Sequence, residues 1–222
     1  MAVRSTVGKF ITKLQVGNSA NVIDVKVTEA GSVEAKFWHQ NIQIPYISPS
    51  TRLDCNWNWP NYIFWYDLME RFLGRNTVYL QINGGDAHGN AFPVGQILIS
   101  DGYPFFPDQY QPSVFLWYLS AAPKKALIDY GLPADLRKMR ALVDTAIQFG
   151  FQRGYDGLLT LHAASSNKPA EDSQLFGKYQ SVGLDPYPAN KRIRPLRKND
   201  GRYFYADRAK SLALTAKLNY LR

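Results

Sequence analysis

The sequence predicts an α/β (α+β) fold with a mixed, mostly antiparallel central sheet flanked by helices, an N-terminal β-hairpin extension and a C-terminal helix. Two observations predict this class. Strand-like segments at 77–82 and 92–100 are joined by a turn rich in glycine and asparagine, which is typical of antiparallel neighbours. A third apolar segment, 113–120, precedes an amphipathic helix and another apolar strand, and such a crossover makes its two strands parallel.

Residues 1–74 are predicted to be an elaboration packed on a core of residues 75–222, so that the chain forms one compact unit. Apolar and polar residues alternate on both sides of a turn at 29–32, and this pattern predicts a β-hairpin within residues 21–45. A loop rich in tryptophan follows. An apolar helix is then predicted at 60–73, with proline near its start and glycine just after its end.

The C-terminal half is predicted to continue the sheet. Apolar residues at 136–150 recur at three- and four-residue intervals, which predicts an amphipathic helix, and residues 158–163 are typical of a buried strand. The remaining elements are predicted as a helix at about 171–182, a loop at 190–198, a strand at 202–205 and a helix at about 207–220.

The charge of the chain is concentrated at its C-terminal end. Its 222 residues carry 26 Lys and Arg against 18 Asp and Glu, a formal net charge of +8. Residues 1–177 hold 15 side chains of each sign, so the whole excess lies in residues 178–222. There Arg192, Arg194 and Arg197 precede the aromatic run 203–205, a combination that suits phosphate backbones and bases, although a charge run is also typical of a solvated face.

The sequence argues against a disulfide, a metal site and a membrane location. Cys55 is the single cysteine, which excludes an intramolecular disulfide and argues against a Cys-based zinc site. His39, His88 and His162 lie far apart in the sequence, so no metal site is expected. There is no apolar stretch long enough to cross a membrane and no signal-peptide pattern, so we expect a cytoplasmic protein without a membrane partner.

Two helices and the strand between them carry a family resemblance. The segment Gly154–Ala163 follows the amphipathic helix and precedes a helix in which Tyr179 stands four residues before Gly183, and this arrangement resembles the C-terminal half of the Gcn5-related N-acetyltransferases (GNATs). Segments 94–99 and 114–123 look like the family's fourth and fifth strands, so the resemblance covers about residues 75–205. It implies an N-acyltransferase that moves an acetyl group from acetyl-CoA, or another acyl group from its CoA thioester, to an amine acceptor that the sequence does not identify.

The chain differs from the family in the segment that would bind the pyrophosphate of the cofactor. GNATs bind it with a Q/R-x-x-G-x-G/A turn at the start of the helix after the fifth strand, where bare backbone N–H groups face the phosphates. Residues 124–138 lack that glycine pair, so the chain is identified as a divergent member. Either side-chain charge compensates, or the cofactor site has decayed and only the fold persists. The candidates for compensation are Lys124, Lys125, Arg137 and Lys138.

The resemblance also implies roles around the thioester. Leu119, Ser120 and Ala121 would offer backbone groups to the pantetheine arm of the cofactor. Tyr179 would be the acid that serves the leaving thiolate, since a phenol with a pKa of about 10 donates well to it. The alternative is that Tyr179 only packs against the sheet.

For the base, the resemblance implies Asp101, at the end of the fourth strand, where the family often has a carboxylate. An Asp before Gly is also a common turn residue, which is the alternative interpretation of Asp101. His162 lies in an apolar strand and is expected to be a packing residue.

Two functions from different classes follow. The first is the acyl-CoA-dependent enzyme. The second is a catalytically inactive protein of the same fold, whose basic C-terminal segment engages nucleic acid or another polyanion. We favour the enzyme because no recognisable nucleic-acid-binding motif accompanies the charge. Both interpretations leave open a homo-oligomer.

Overall fold

A computed structural model describes residues 6–73, 76–86, 88–165, 169–191, 193 and 199–222. Within these residues there is one eight-stranded sheet, in the order β1-β2-β3-β4-β5-β6-β8-β7. Its strands are β1 Lys13–Gln15, β2 Val22–Glu29, β3 Thr77–Gly85, β4 Ala91–Pro104, β5 Pro112–Ala121, β6 Leu159–His162, β7 Asp185–Pro186 and β8 Tyr203–Ala206.

Helices flank this sheet. The described α-helices are α1 Ser32–Trp38, α2 Trp59–Leu73, α3 Lys124–Asp129, α4 Lys138–Gln152, α5 Pro169–Ser181 and α6 Arg208–Ala216. A π-helical segment, His39–Ile47, continues directly from α1, and a 3₁₀ turn, Asn219–Leu221, follows α6.

The predicted fold class is confirmed. Antiparallel pairing joins all neighbouring strands of the described sheet except β5 and β6, which are parallel as the crossover through α4 requires. The glycine-rich turn after β3 does join antiparallel strands, and the strand 113–120 does lie inside the sheet, between β4 and β6. The predicted core is therefore present with its elements in the expected order.

The hairpin predicted within residues 21–45 is wrong in its second half. Its first strand exists as β2, but that strand pairs with β1 and β3, and residues 32–38 are helical. The reason lies in the spacing of the buried residues: Ala35 and Trp38 are fully buried and three residues apart, whereas Val33 is 72% exposed. The Gly31 N–H donates to the Glu34 carboxylate at 2.8 Å, which caps the helix at its N-terminus.

A buried polar network fastens the first two helices to the sheet. Trp38 and Trp59 are fully buried and lie edge to face at 6.5 Å between ring centres. With the amide oxygen of Gln96 turned toward them, the two indole N–H groups donate to it at 3.2 and 3.1 Å, and the Gln96 nitrogen donates to the Tyr79 hydroxyl. Because unpaired polar groups in a core are costly, this network fixes where α1 and α2 sit on β3 and β4.

A buried ion pair joins α4 to both ends of the described chain. Arg222 donates to both carboxylate oxygens of Asp144, at 2.5 and 2.7 Å, and both side chains are at most 3% exposed. The Arg222 Nε also donates to the carbonyl of Lys9, and the Thr12 N–H donates to that of Leu221, both at 2.8 Å. The pair thus ties the first and last described segments to the central helix.

Removing one partner of this ion pair is expected to cost more than removing both. Arg222→Leu leaves the Asp144 carboxylate buried without its counter-charge, which should lower the free energy of unfolding by about 3–5 kcal/mol. Asp144→Leu/Arg222→Leu should recover part of that loss, as urea unfolding would measure. Arg208→Leu, which removes an exposed pair with Asp156, serves as the control and should cost under about 1 kcal/mol. A double variant as unstable as Arg222→Leu, or more so, would contradict the expectation.

Candidate functional site

A cleft opens where the two parallel strands separate. β5 and β6 pair over three positions, from Val114 with Leu159 to Leu116 with Leu161, whereas β5 continues against β4 as far as Ala121. Two connected cavities fill the space beyond the last pair. The inner cavity, of about 370 Å³, lies against Leu116, Leu161 and His162, and the outer cavity, of about 730 Å³, lies against Ala121 and the start of α4.

The backbone of β5 presents hydrogen-bonding groups to this cleft. The Ala122 N–H donates to the carbonyl of Val94 on β4. Since successive residues of a strand point their backbone groups to opposite edges, those of Ser120 also face β4, and those of Leu119 and Ala121 face the cleft. Arg52 Nη1 donates to the Ala121 carbonyl at 2.9 Å, in agreement with that direction. The backbone groups of Leu119 and Ala121 thus face the cleft, whereas those of Ser120 face β4.

The Arg52 cluster, made of Arg52, Asp54 and Ser120, closes this part of the cleft. Arg52 holds the Asp54 carboxylate by two hydrogen bonds, at 2.8 and 2.7 Å, and the buried Ser120 hydroxyl donates to the same carboxylate at 2.6 Å. Both Arg52 and Asp54 come from the loop before α2. The predicted N-terminal elaboration therefore contributes side chains to the cleft.

Tyr179 lies on the opposite wall and contacts both cavities. It sits near the end of α5, where the Leu184 N–H donates to the Tyr179 carbonyl and the Gly183 N–H to that of Gln180, the two bonds of a Schellman motif. Gly183 has φ +101°, and a Cβ there would lie 2.4 Å from Leu214, so glycine is required. Burial, and after it the charge of Asp54, raises the pKa of Tyr179 to about 12, so its phenol stays protonated near neutral pH.

Two of the four predicted cations lie close to each other, Lys138 at the start of α4 and Lys124 at the start of α3. Burial, followed by the positive charges of Arg52 and Lys124, lowers the pKa of Lys138 to about 8. Lys124 forms an exposed ion pair with Asp135. Excess positive charge at the positive end of a 15-residue helix favours an anion.

The side chains of the other two predicted cations, Arg137 and Lys125, make their contacts outside the cleft. The Arg137 guanidinium donates to the carbonyl of Gly17 and to Asn18, on the connection between β1 and β2. Lys125 lies 6.0 Å from the centre of the Tyr46 ring, next to the π-helical segment. The structure therefore does not bring Arg137 and Lys125 to the cleft.

Asp101 lies past the inner end of the cleft. On β4 it follows Ile99, the partner of Leu116, by two residues, and Gly95, the partner of Ala121, by six. Its carboxylate is 5% exposed and forms an ion pair with Arg153 at 3.0 Å, just past the end of α4. Burial and, after it, the Asp101 carboxylate raise the pKa of Tyr155 to about 12. These contacts tie Asp101 to the segment that follows α4.

His162 is a cavity residue that the sequence did not assign to the site. It follows the last pair between β5 and β6 and lines the inner cavity. Its ring stacks on Tyr203 at 4.3 Å, so the expected packing role is present, and its Nε2 lies 2.9 Å from Asp200 Oδ2. The one signal that could have indicated it was its place at the carboxyl end of a parallel strand, where ligands commonly bind.

Aromatic rings form the remaining wall of the inner cavity. Tyr62 from α2 stacks on Tyr118 from β5, with ring centres 4.3 Å apart, and Trp57 meets Tyr118 edge to face at 4.9 Å. Trp117 completes this wall. Burial raises the pKa of both Tyr62 and Tyr118, so the wall is uncharged near neutral pH.

Much of the predicted basic segment cannot be placed, since Arg192, Arg194, Arg197 and Lys198 lie outside the described residues. Arg202 donates to Asp172 at 2.6 Å and to the carbonyl of Ala163 at 3.2 Å. Further ion pairs formed by cations of this segment are those of Arg208 with Asp156, Lys210 with Asp185 and Arg222 with Asp144. Part of the C-terminal charge is therefore used inside the fold.

The described residues lack two further features. Their acidic, histidine and cysteine side chains form no group of three or more that could hold a metal ion. Their helices include none that is long and apolar enough to cross a membrane.

Comparison with known proteins gives likenesses among solved structures only, because no family model and no curated protein matches the chain. Apo FdhC, a nucleotide-linked sugar GNAT, is 13% identical with a TM-score of 0.48, over 96% of this chain and 98% of its own. The spermidine N-acetyltransferase of Vibrio cholerae, in complex with CoA and spermine, is 13% identical with a TM-score of 0.47, over 85% and 98%. At these values the likenesses assign neither an activity nor a substrate to this chain.

Proposed function

We propose that this protein is an acyl-CoA-dependent N-acyltransferase that transfers an acetyl group from acetyl-CoA to an amine. The observation that carries the proposal is the cleft between β5 and β6, with backbone groups of Leu119 and Ala121 on one wall and the Tyr179 phenol on the other. A strand edge without a partner strand suits a ligand that carries amides of its own, as the pantetheine arm does.

The residues of the outer cavity fit the charged end of such a cofactor. Arg52 and Lys178 line this cavity, and Lys138 lies close enough to Arg52 for the Arg52 charge to lower the Lys138 pKa. These cations, with the N-terminus of α4, are our candidates for holding the pyrophosphate, and they favour compensation by side-chain charge over a decayed site. When bound, acetyl-CoA supplies an activated thioester.

Tyr179 is suited to stabilise the leaving thiolate by a hydrogen bond. With a pKa of about 12 it is a weaker acid than a thiol, whose pKa is about 8.5, so complete proton transfer to the sulfur would cost about 5 kcal/mol. A hydrogen bond from the phenol to the sulfur, without proton transfer, avoids this cost. The low dielectric around the buried phenol strengthens such a bond. Tyr179 is therefore proposed as a hydrogen-bond donor to the sulfur.

The acceptor amine is proposed to enter through the inner cavity. Trp57 and Tyr62, from the first 74 residues, wall it together with Tyr118, so the N-terminal part would select the acceptor and form one unit with the core. An aromatic wall binds the flat or apolar body of an amine and also attracts its cationic form.

Replacing Tyr179 by phenylalanine is expected to lower turnover and leave cofactor affinity nearly unchanged. The variant keeps the ring and its packing but loses the donor, so acetyl transfer should fall about 10²-fold. Calorimetry with acetyl-CoA and release of free CoA would measure the two effects, with Tyr110→Phe, at a fully exposed position, as the control. An equal loss of binding and turnover would assign Tyr179 to packing. Absence of binding by the unaltered protein at millimolar acetyl-CoA would leave the polyanion-binding alternative.

The affinity for CoA is expected to fall as the pH rises through about 8. Lys138 attracts phosphate only while protonated, and its pKa of about 8 makes it lose that charge earlier than an ordinary lysine. Calorimetric titration with CoA from pH 7 to 9.5 should show this decline, and Lys138→Met should flatten it. Lys125→Met, which removes a lysine outside the cleft, should keep the decline. An unchanged pH dependence in Lys138→Met would remove Lys138 from the cofactor site.

A further inference from the structure

We propose that His162, oriented by Asp200, takes the proton from the acceptor amine. The inference rests on the proposed function and adds a base to it. His162 directly follows the last residue of β6 that pairs with β5, so its ring borders the innermost part of the cleft. Tyr179 lines the same cavity. A bound acyl group reaching past Leu119 toward this end would meet both side chains.

The imidazole is held in one orientation. Its ring stacks on Tyr203, the two residues also face each other in the pairing of β6 with β8, and its Nε2 lies 2.9 Å from Asp200 Oδ2. The Arg202 N–H donates to the other oxygen of Asp200 at 3.1 Å. Burial opposes ionisation of Asp200, but the hydrogen bond and charge of His162, together with backbone hydrogen bonds, outweigh it and lower the Asp200 pKa. A carboxylate so placed stabilises an imidazolium, as in other histidine and aspartate pairs.

The chemistry requires such a group. An alkylammonium has no lone pair, so R–NH₃⁺ must give up a proton before its nitrogen can attack the thioester carbonyl. Neutral imidazole accepts that proton, giving R–NH₂ and an imidazolium whose charge Asp200 balances. Asp101 is engaged by Arg153 in an ion pair, and the phenol of Tyr179 already carries its proton.

His162 is the candidate base by its residue type. Among the described lining residues of the inner cavity, it is the one whose type ordinarily has a pKa near neutrality, about 6.5. Within the described residues, the ionisable side chains that contact His162 or share the inner cavity with it include Asp200, Tyr203, Tyr179, Tyr62 and Tyr118.

The test uses two acceptors that differ in their need for a base. 2-Phenylethylamine is an alkylammonium at pH 7.5 and suits the aromatic wall, whereas hydroxylamine is already largely neutral. His162→Gln should lower kcat/KM for 2-phenylethylamine about 10²-fold and that for hydroxylamine less than about 3-fold. His88→Gln, on the exposed connection between β3 and β4, is the matched control and should change neither.

A second variant tests the proposal even where His162→Gln fails to fold. Asp200→Asn removes the charge that favours the imidazolium, so the acidic limb of kcat/KM against pH should move down by about one pH unit. Equal losses for both amines in His162→Gln, or an unmoved limb in Asp200→Asn, would overturn the assignment. Calorimetry separates this failure from that of the proposed function: an unaltered protein that binds acetyl-CoA retains the enzyme while losing this base, and one that does not bind it loses both.

Discussion

β5 is held along its full length by β4 on one edge, but β6 covers only three positions of its other edge. Beyond Leu116 and Leu161 the two parallel strands no longer pair with each other. β6 and the residue after it remain hydrogen-bonded to β8 and to the residue that precedes β8. Backbone groups on an uncovered strand edge need partners, from side chains, water or a ligand. This single mismatch in pairing creates the cleft, and the loop before α2, α5 and the aromatic wall are arranged around it.

Part of the uncovered edge is already satisfied by the protein. Arg52 reaches the Ala121 carbonyl and is itself held by Asp54, whose carboxylate also receives the Ser120 hydroxyl. The cluster therefore has two functions in the cleft: it supplies a hydrogen-bond donor where a strand would otherwise lie, and it keeps a cation beside the outer cavity. A ligand amide entering next to Leu119 would add to this pattern without displacing it.

The sequence was sufficient where local pattern decides structure. The 3.6-residue period at 136–150 and the apolar strands around it predicted the parallel crossover, and the spacing from Tyr179 to Gly183 reflects the helix end that positions the phenol. Prediction from the sequence failed where two residues in contact are distant along the chain. Arg52 and Ala121 are 69 residues apart, and Asp101 is held by Arg153 on another element, contacts that no local spacing encodes. Residues 32–38 were misassigned because alternation over a few residues fits a strand and a short helix equally well.

For phosphate binding, the positions of the basic side chains matter more than the net charge of the chain. A glycine-rich turn attracts phosphate with backbone dipoles that do not titrate and cause no repulsion when the site is empty. Side chains that replace such a turn repel one another until an anion arrives, and the lowered pKa of Lys138 beside Arg52 and Lys124 records that repulsion together with burial. A phosphate group would relieve it, so part of the binding free energy would come from removing unfavourable charge contacts within the protein. In the proposed cofactor site, lysine and arginine in place of glycine would keep the affinity for an anion but make it depend on pH and salt, which a backbone cradle largely avoids.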